Sequence, residues 1–177
     1  RDPNGNASSG RRGRSAGETA VGPHPHNSAP GLSVDQSTLY VVVKSATTEY
    51  YGYLLGLDST SLATKYKVLL KDPRNGNNAG ILDDSTASPM VAPDDDVYFG
   101  IFSSPDNGSR GFLLRFSGNL ATTTTPGAFG WDNTAAVVPA AMVPSYTGPS
   151  SYRIFSKYNT YANAADGDGI HKIDLLD

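Results

Sequence analysis

The chain has 177 residues, 38% of them hydrophobic and 18% charged, with a formal net charge of −3. That length supports one domain with a sizeable core, and the slight acidity leaves no electrostatic reason to expect nucleic acid as a partner. The lack of cysteine excludes disulfides, thiolate metal sites and cysteine nucleophiles, and no apolar run reaches the roughly 18–20 residues of a membrane helix.

Residues 1–30 read as a disordered or extended N-terminal arm. They hold Arg1, Arg11, Arg12 and Arg14, many Gly, Ser and Asn residues, and only Val21 as a larger aliphatic. Such a segment cannot bury enough apolar surface to offset its ordering entropy. Arg11-Arg12-Gly13-Arg14 offers an anion patch, but a solvated tail is the plainer reading. Arg1 opens a polar stretch without the apolar core of a signal peptide. His24 and His26 flank Pro25 and have the spacing to share a transition metal, with His171 as a third imidazole. A flexible lead-in is a poor base for such a site, so a proline-rich strand entry is preferred.

From residue 31 to 177 the chain reads as one repeat domain, in units of approximately 31–87, 88–146 and 147–177. Leu39–Lys44 is β-branched and aromatic and predicts a strand. Ser45–Glu49 is a polar turn, Tyr50–Leu57 a return strand, and Tyr66–Leu70 a third strand. Ser59–Thr64 carries a single helical turn at most. Lys71–Ser88 reads as a long polar loop and Ser88–Val91 as a short strand. Pro93-Asp94-Asp95-Asp96 predicts a tight exposed turn before the strand Val97–Phe102, because three adjacent buried carboxylates would repel. Asp106-Asn107-Gly108 is a hairpin signal leading to Gly111–Phe116. Thr122–Pro126 reads as a linker and Ala128–Val143 as irregular. A strand from about Ser151 and a return strand ending near Leu176 complete the series.

These runs repeat. Gly52-Tyr53-Leu54-Leu55-Gly56-Leu57-Asp58, Gly111-Phe112-Leu113-Leu114-Arg115-Phe116-Ser117 and Gly169-Ile170-His171-Lys172-Ile173-Asp174 each follow an aromatic-rich strand. Their last residues fall at 58, 117 and 174, steps of 59 and 57. Together with 19 Gly, 12 Pro and 10 Tyr, this pattern predicts an all-β, propeller-like array of antiparallel sheets. Each sheet has two faces to bury and needs neighbours to do it. Gly100 leaves room for a neighbouring backbone. Three units fall short of a typical ring of roughly four to eight blades, so the ring is expected to be incomplete or open.

Several stretches resemble bacterial PQQ-binding-like β-propeller repeat proteins, from about Val21 to Asp177. They are Gly22–Pro30, Tyr53–Asp58, Leu70–Arg74, Ala87–Asp94, Gly108–Leu114 and Pro126–Asp132. The resemblance implies propeller blades whose outer strand often ends in Leu-Asp, and it carries no fixed activity. Two departures stand out: the chain stops at Asp177 where more blades are expected, and Arg1–Ala20 matches nothing in the pattern.

A quinone site would need a stacking aromatic, a calcium shell and a catalytic Asp on converging blades. Trp131-Asp132-Asn133 supplies those residue types, but in one loop, and a Trp packed between blades is the simpler reading. Asp166-Gly167-Asp168-Gly169 spaces Asp166 and Asp168 as a calcium loop begins. It lacks the closing Glu of an EF-hand, and Asp-Gly is also ordinary turn chemistry. No Gly-x-Ser-x-Gly elbow occurs, and Glu18 and Glu49 are the only glutamates, which weakens a paired-carboxylate glycosidase. Asn6-Ala7-Ser8 and Asn107-Gly108-Ser109 match a glycosylation acceptor, a short pattern of little weight.

No catalytic and no cofactor-binding residue is therefore assigned, and Asp166 and Asp168 stand as the metal candidate, for calcium. The leading expectation is a non-enzymatic β-propeller-type binding or assembly scaffold, exported to a periplasmic or extracellular setting. Its partner would be another protein or itself, through exposed sheet faces or edges. The alternatives are a fragment of a quinone- and calcium-dependent dehydrogenase and a self-assembling structural protein that uses open sheet edges.

Overall fold

A computed structural model describes residues 22, 24–25, 27–46, 51–81, 87–102, 111–159 and 170–176. The fold is all-β. The first sheet has the order β1-β2-β3-β4, with β1 Gly31–Leu32, β2 Thr38–Lys44, β3 Gly52–Asp58 and β4 Thr64–Leu69. The second has the order β5-β6-β7-β8, with β5 Met90–Val91, β6 Val97–Ile101, β7 Phe112–Phe116 and β8 Thr123–Gly127. The third has the order β11-β10-β9, with β9 Ala136–Pro139, β10 Tyr152–Asn159 and β11 Ile170–Leu176. All the strand pairings within them are antiparallel. Among the described residues, no helix is long and apolar enough to cross a membrane.

The repeat extends into backbone geometry. In the β1–β2 turn, the Gln36 amide donates to Ser33 and the Ser33 amide to Thr38; in the β5–β6 turn, Asp95 donates to Ala92 and Ala92 to Asp96. Gln36 and Asp95 both adopt left-handed φ, 62° and 65°. So do Leu62 and Leu120, at 59° and 56°, in the turns that lead to β4 and β8. Non-glycine residues rarely sit there. The Ala140 amide donates to Ser151 in the same way ahead of β10. These turns align Leu39, Val97 and Tyr152 as equivalent first positions, and Tyr40, Tyr98 and Arg153 as the next.

That alignment explains how the sheets stack. Successive strand residues point to opposite faces. Tyr40, Val42 and Leu54 of the first sheet are buried against Val97, Phe99, Ile101, Phe112, Leu114 and Phe116 of the second. The opposite face of the second sheet, with Tyr98 and Leu113, packs on Tyr152, Ile154 and Ala135 of the third. Tyr40 and Leu54 are the counterparts of Tyr98 and Leu113, so each unit presents the same face to the unit after it. The packing is head to tail. The central sheet is covered on both sides, and all five residues of β6 are buried.

Backbone approach is close at the second seam. A Cβ on Gly100 would overlap the carbonyl of Gly130, and one on Gly111 would overlap the carbonyl of Ile101 and the side chain of Trp131. Gly100 thus has the role expected of a strand glycine. The seams also carry matching hydrogen bonds: the Ala29 amide donates to Ser88 Oγ (2.8 Å) and the Ser88 amide to Thr134 Oγ1 (2.8 Å).

Three sequence expectations are corrected. Thr122–Pro126 is no linker, since Thr123–Gly127 forms the outer edge strand β8. β-branched threonines suit an exposed strand, and proline is tolerated at an edge where its missing N–H faces solvent. Ala128–Val143 is not wholly irregular: Ala136–Pro139 pairs with β10, and a 3₁₀ turn follows at Ala140–Met142. Within Lys71–Ser88, the described part is structured. Lys71 bridges to Asn78, and Gly80 bridges to both Tyr51 and Phe102. Leu70, Ala79 and Ile81 join the first core, and Asp72 is 4% exposed. The expected turns at Ser45–Glu49 and Asp106–Gly108 fall partly or wholly outside the described residues.

Candidate functional site

The candidate site is a polar cleft at the seam of the second and third sheets. Asp94, Tyr98, Arg115, Ser150, Ser151 and Tyr152 line a space of about 160 Å³. The β5–β6 turn supplies Asp94, β6 supplies Tyr98 and β7 supplies Arg115. In register, Tyr98 lies opposite Arg115, which puts both on the face that meets the third sheet. Tyr152 opens β10. Ser150 and Ser151 end the connection from β9, which runs from Ala140 to Ser151, whereas its counterpart runs only from Ala92 to Asp96.

One hydrogen-bond network joins these side chains. Tyr152 Oη donates to Asp94 Oδ2 (2.9 Å) and lies 3.1 Å from Tyr98 Oη. Arg115 reaches Asp94 Oδ2 through Nη2 (3.2 Å) and Asp96 Oδ2 through Nε (2.5 Å). Its guanidinium carbon lies 5.8 Å from the Tyr98 ring centroid. The carboxylate of Asp95 turns the other way and accepts the Val34 amide (2.7 Å). Asp94 and Asp96 therefore share Arg115, while Asp95 ties the turn to the first sheet. Asp94 is exposed, as expected, while Asp95 and Asp96 are half-buried. The sequence signal that was available is the coincidence of three carboxylates with an Arg at the position where the first unit has Gly56.

The electrostatics favour holding over proton transfer. Burial pushes Tyr152 up, and its bonds to Tyr98 and Asp94 push it further. Burial likewise raises Tyr98, although its bond to Tyr152 acts in the opposite sense. Both phenols stay neutral near pH 7 and make poor general bases. The cleft can offer hydroxyl donors and acceptors beside an Arg115 held by two aspartates. That chemistry suits a small polar ligand with several hydroxyl or amide groups.

Tyr40, the counterpart of Tyr98, donates to the Gly118 carbonyl (2.6 Å) across the first seam. Burial raises it from 10.0 to about 12, with Asp95 adding to the effect. Above pH 10 the unfolded chain sheds this phenolic proton while the folded chain keeps it, so the unfolded state binds fewer protons and stability falls. The contribution is intact below pH 10 and is lost as pH rises through about 12. Tyr98 and Tyr152 act in the same direction. Urea midpoints taken from about pH 8 to pH 12 are expected to fall, and Tyr40→Phe should flatten part of that slope. A flat wild-type profile would refute the assignment.

A second polar cluster was not foreseen. Asp72 takes a bidentate pair from Arg74, with Nε to Oδ1 at 3.1 Å and Nη2 to Oδ2 at 2.8 Å. The guanidinium carbon lies 5.2 Å from the Phe112 ring centroid, on the first seam. Pairing of this kind is what permits a buried carboxylate. The Asp-Pro-Arg spacing in the sequence was the available cue.

The earlier site candidates are dispersed. Asp166 and Asp168 lie outside the described residues, as does His26; His24 is exposed and His171 sits in β11. Trp131 packs with its ring centroid 4.9 Å from that of Phe102, tilted by 60°. Asn133 Oδ1 accepts from Ser156 Oγ (3.2 Å). Neither Trp131 nor Asn133 lines the cleft. Among the described residues, no group of three or more His, Cys, Asp or Glu is arranged to hold a metal ion.

No family model matches the chain, and no curated protein or solved structure compared with it matches either. The functional reading therefore rests on the stack and the cleft themselves.

Proposed function

We propose that this chain is a non-enzymatic, β-propeller-type scaffold that assembles through its sheet faces and carries a small polar binding cleft at one seam. The observation that supports it best is the head-to-tail burial of the central sheet, in which equivalent residues of successive units cover one another. Such packing is how blade repeats build a continuous core. The cleft adds neutral phenols and paired charges, a set suited to binding.

The dehydrogenase alternative rests on Trp131-Asp132-Asn133, and the packing of Trp131 on Phe102 gives it no support. Assembly through open edges is also the weaker alternative. The outer edge strand β4 exposes Thr64, Lys65 and Lys67, and β8 carries Pro126. Lysine and proline are the usual guards against strand addition. The test is turnover. With quinone and dye acceptors over a broad panel of alcohols and sugars, no activity above background is expected, and added calcium should leave turnover unchanged. Robust quinone-dependent oxidation would overturn the proposal.

A further inference from the structure

We propose that the cleft between the second and third sheets takes one neutral sugar ring, free or at the end of a glycan. The inference rests on the binding reading above and names its ligand class. Size sets the first limit. The space of about 160 Å³ is near half the lower end of the roughly 300–1,000 Å³ pockets that hold drug-sized ligands. A single ring fits such a space, and a longer molecule enters it only by its tip.

Charge sets the second limit. Asp94 and Asp96 both pair with Arg115, so two carboxylates outweigh one guanidinium. An anionic ligand would meet an arginine already held and a carboxylate in excess. A cationic ligand would meet Arg115 itself. The cleft is therefore matched to a neutral molecule.

Hydrogen-bond direction sets the third. A phenol has one proton to give. Tyr152 gives its proton to Asp94, so in the 3.1 Å contact between the two phenols Tyr98 is the donor. The Tyr98 oxygen then offers the cleft lone pairs alone. Arg115 offers N–H donors alone, and the Ser150 and Ser151 hydroxyls can act either way. No aliphatic side chain lines the space. A ligand must then be polar on every side and carry donors and acceptors together. A ring bearing a hydroxyl on most of its carbons does so, whereas an alkyl amide is polar along one edge only.

The rim is built in advance. Tyr146 Oη accepts the Ser150 amide (2.9 Å), and the Arg153 guanidinium carbon stands 4.4 Å from the Tyr146 ring centroid. Gly148 lies so close that a Cβ there would overlap the same phenol oxygen. A rim fixed before binding spares the ligand the cost of ordering it.

The experiment is ligand-observed NMR titration of the full 177-residue chain with a panel of neutral hexoses and their methyl glycosides. The comparison compounds are a uronate, cyclohexanol and N-methylacetamide. At least one neutral hexose should bind with a Kd of about 1 mM, the scale for so small a ligand. The matching uronate should bind at least tenfold more weakly, and cyclohexanol should not bind. Binding of the methyl glycoside as well supports a site for glycan ends, and binding of the free hexose alone supports a site for free sugar. Tyr98→Phe removes the acceptor and should weaken the bound sugar about tenfold. Circular dichroism monitors the fold, and Ser151→Ala, at an exposed position, replaces Tyr98→Phe if the latter loses strand signal. No binding by any hexose, tighter binding of the uronate, or unchanged affinity in the folded variant would each overturn the proposal. N-methylacetamide binding without any sugar would overturn the ligand class and leave the binding cleft standing. Quinone-dependent turnover bears on the scaffold reading alone.

Discussion

Phe99→Ala is expected to lower unfolding free energy by about 3–5 kcal/mol, the range for removing a core aromatic. Phe99 is 2% exposed at the middle of β6 and belongs to the larger core, with Tyr40 and Leu54 across the seam. Truncation leaves a cavity between two sheets whose backbones are held apart by their other side chains, so collapse into the gap is limited. Urea denaturation should show the midpoint shift at an unchanged slope. Phe99→Leu should recover part of the loss, and Val34→Ala, at a residue 60% exposed, should stay within about 0.5 kcal/mol. A Phe99→Ala loss below about 1 kcal/mol would mean that the seam is not packed as described.

The neighbouring residue tests the opposite seam by the opposite means. Gly100→Ala adds one methyl group where the Gly130 carbonyl already stands. Backbone cannot step aside as a flexible side-chain tip can, so a cost at or above the usual overpacking range of about 1–3 kcal/mol is expected. Gly100→Val should cost more. If Gly100→Ala is neutral by the same urea assay, the close approach of Gly130, in the β8–β9 connection, to β6 is wrong. The two variants touch different faces of one strand. Both should lower a single shared transition, because the central sheet belongs to both cores. Two separated transitions would instead indicate seams that melt independently.

The strands with strong local character were legible from the sequence. Leu39–Lys44, Val97–Phe102 and the two Gly-aromatic-Leu-Leu runs became β2, β6, β3 and β7, because β-branched and aromatic residues there are buried on one or both faces. β8 was missed because its signal is a polar threonine run ending in Pro126, which reads as linker unless an edge position is assumed. β9 was missed because four residues that follow a Trp-containing turn and end in Pro139 carry little periodicity, and only pairing with β10 makes them a strand. The repeat was legible as a spacing of 59 residues between Asp58 and Ser117. Its deeper content lay in φ angles at Gln36, Asp95, Leu62 and Leu120, which no side-chain pattern announces.

The candidate site was legible only in part. The Asp94–Asp96 turn was visible as a turn, and its charge suggested exposure. Arg115, which pairs with Asp94 and Asp96, is 21 and 19 residues away in sequence, and Tyr152 is 58 residues from Asp94. Contacts at such separations follow from register and stacking, which a local reading cannot supply.

The longer connection from Ala140 to Ser151 has a consequence for how the chain divides its work. The interior of the stack is written twice, in two seams of matching geometry, while the cleft lies where that connection brings Ser150, Ser151 and Tyr152 over the second sheet. Architecture and the proposed recognition would thus be carried by different kinds of sequence. New specificity can be grafted by rewriting that one connection, with Asp94, Tyr98 and Arg115 kept as a fixed floor, and the sheets beneath would have no need to change.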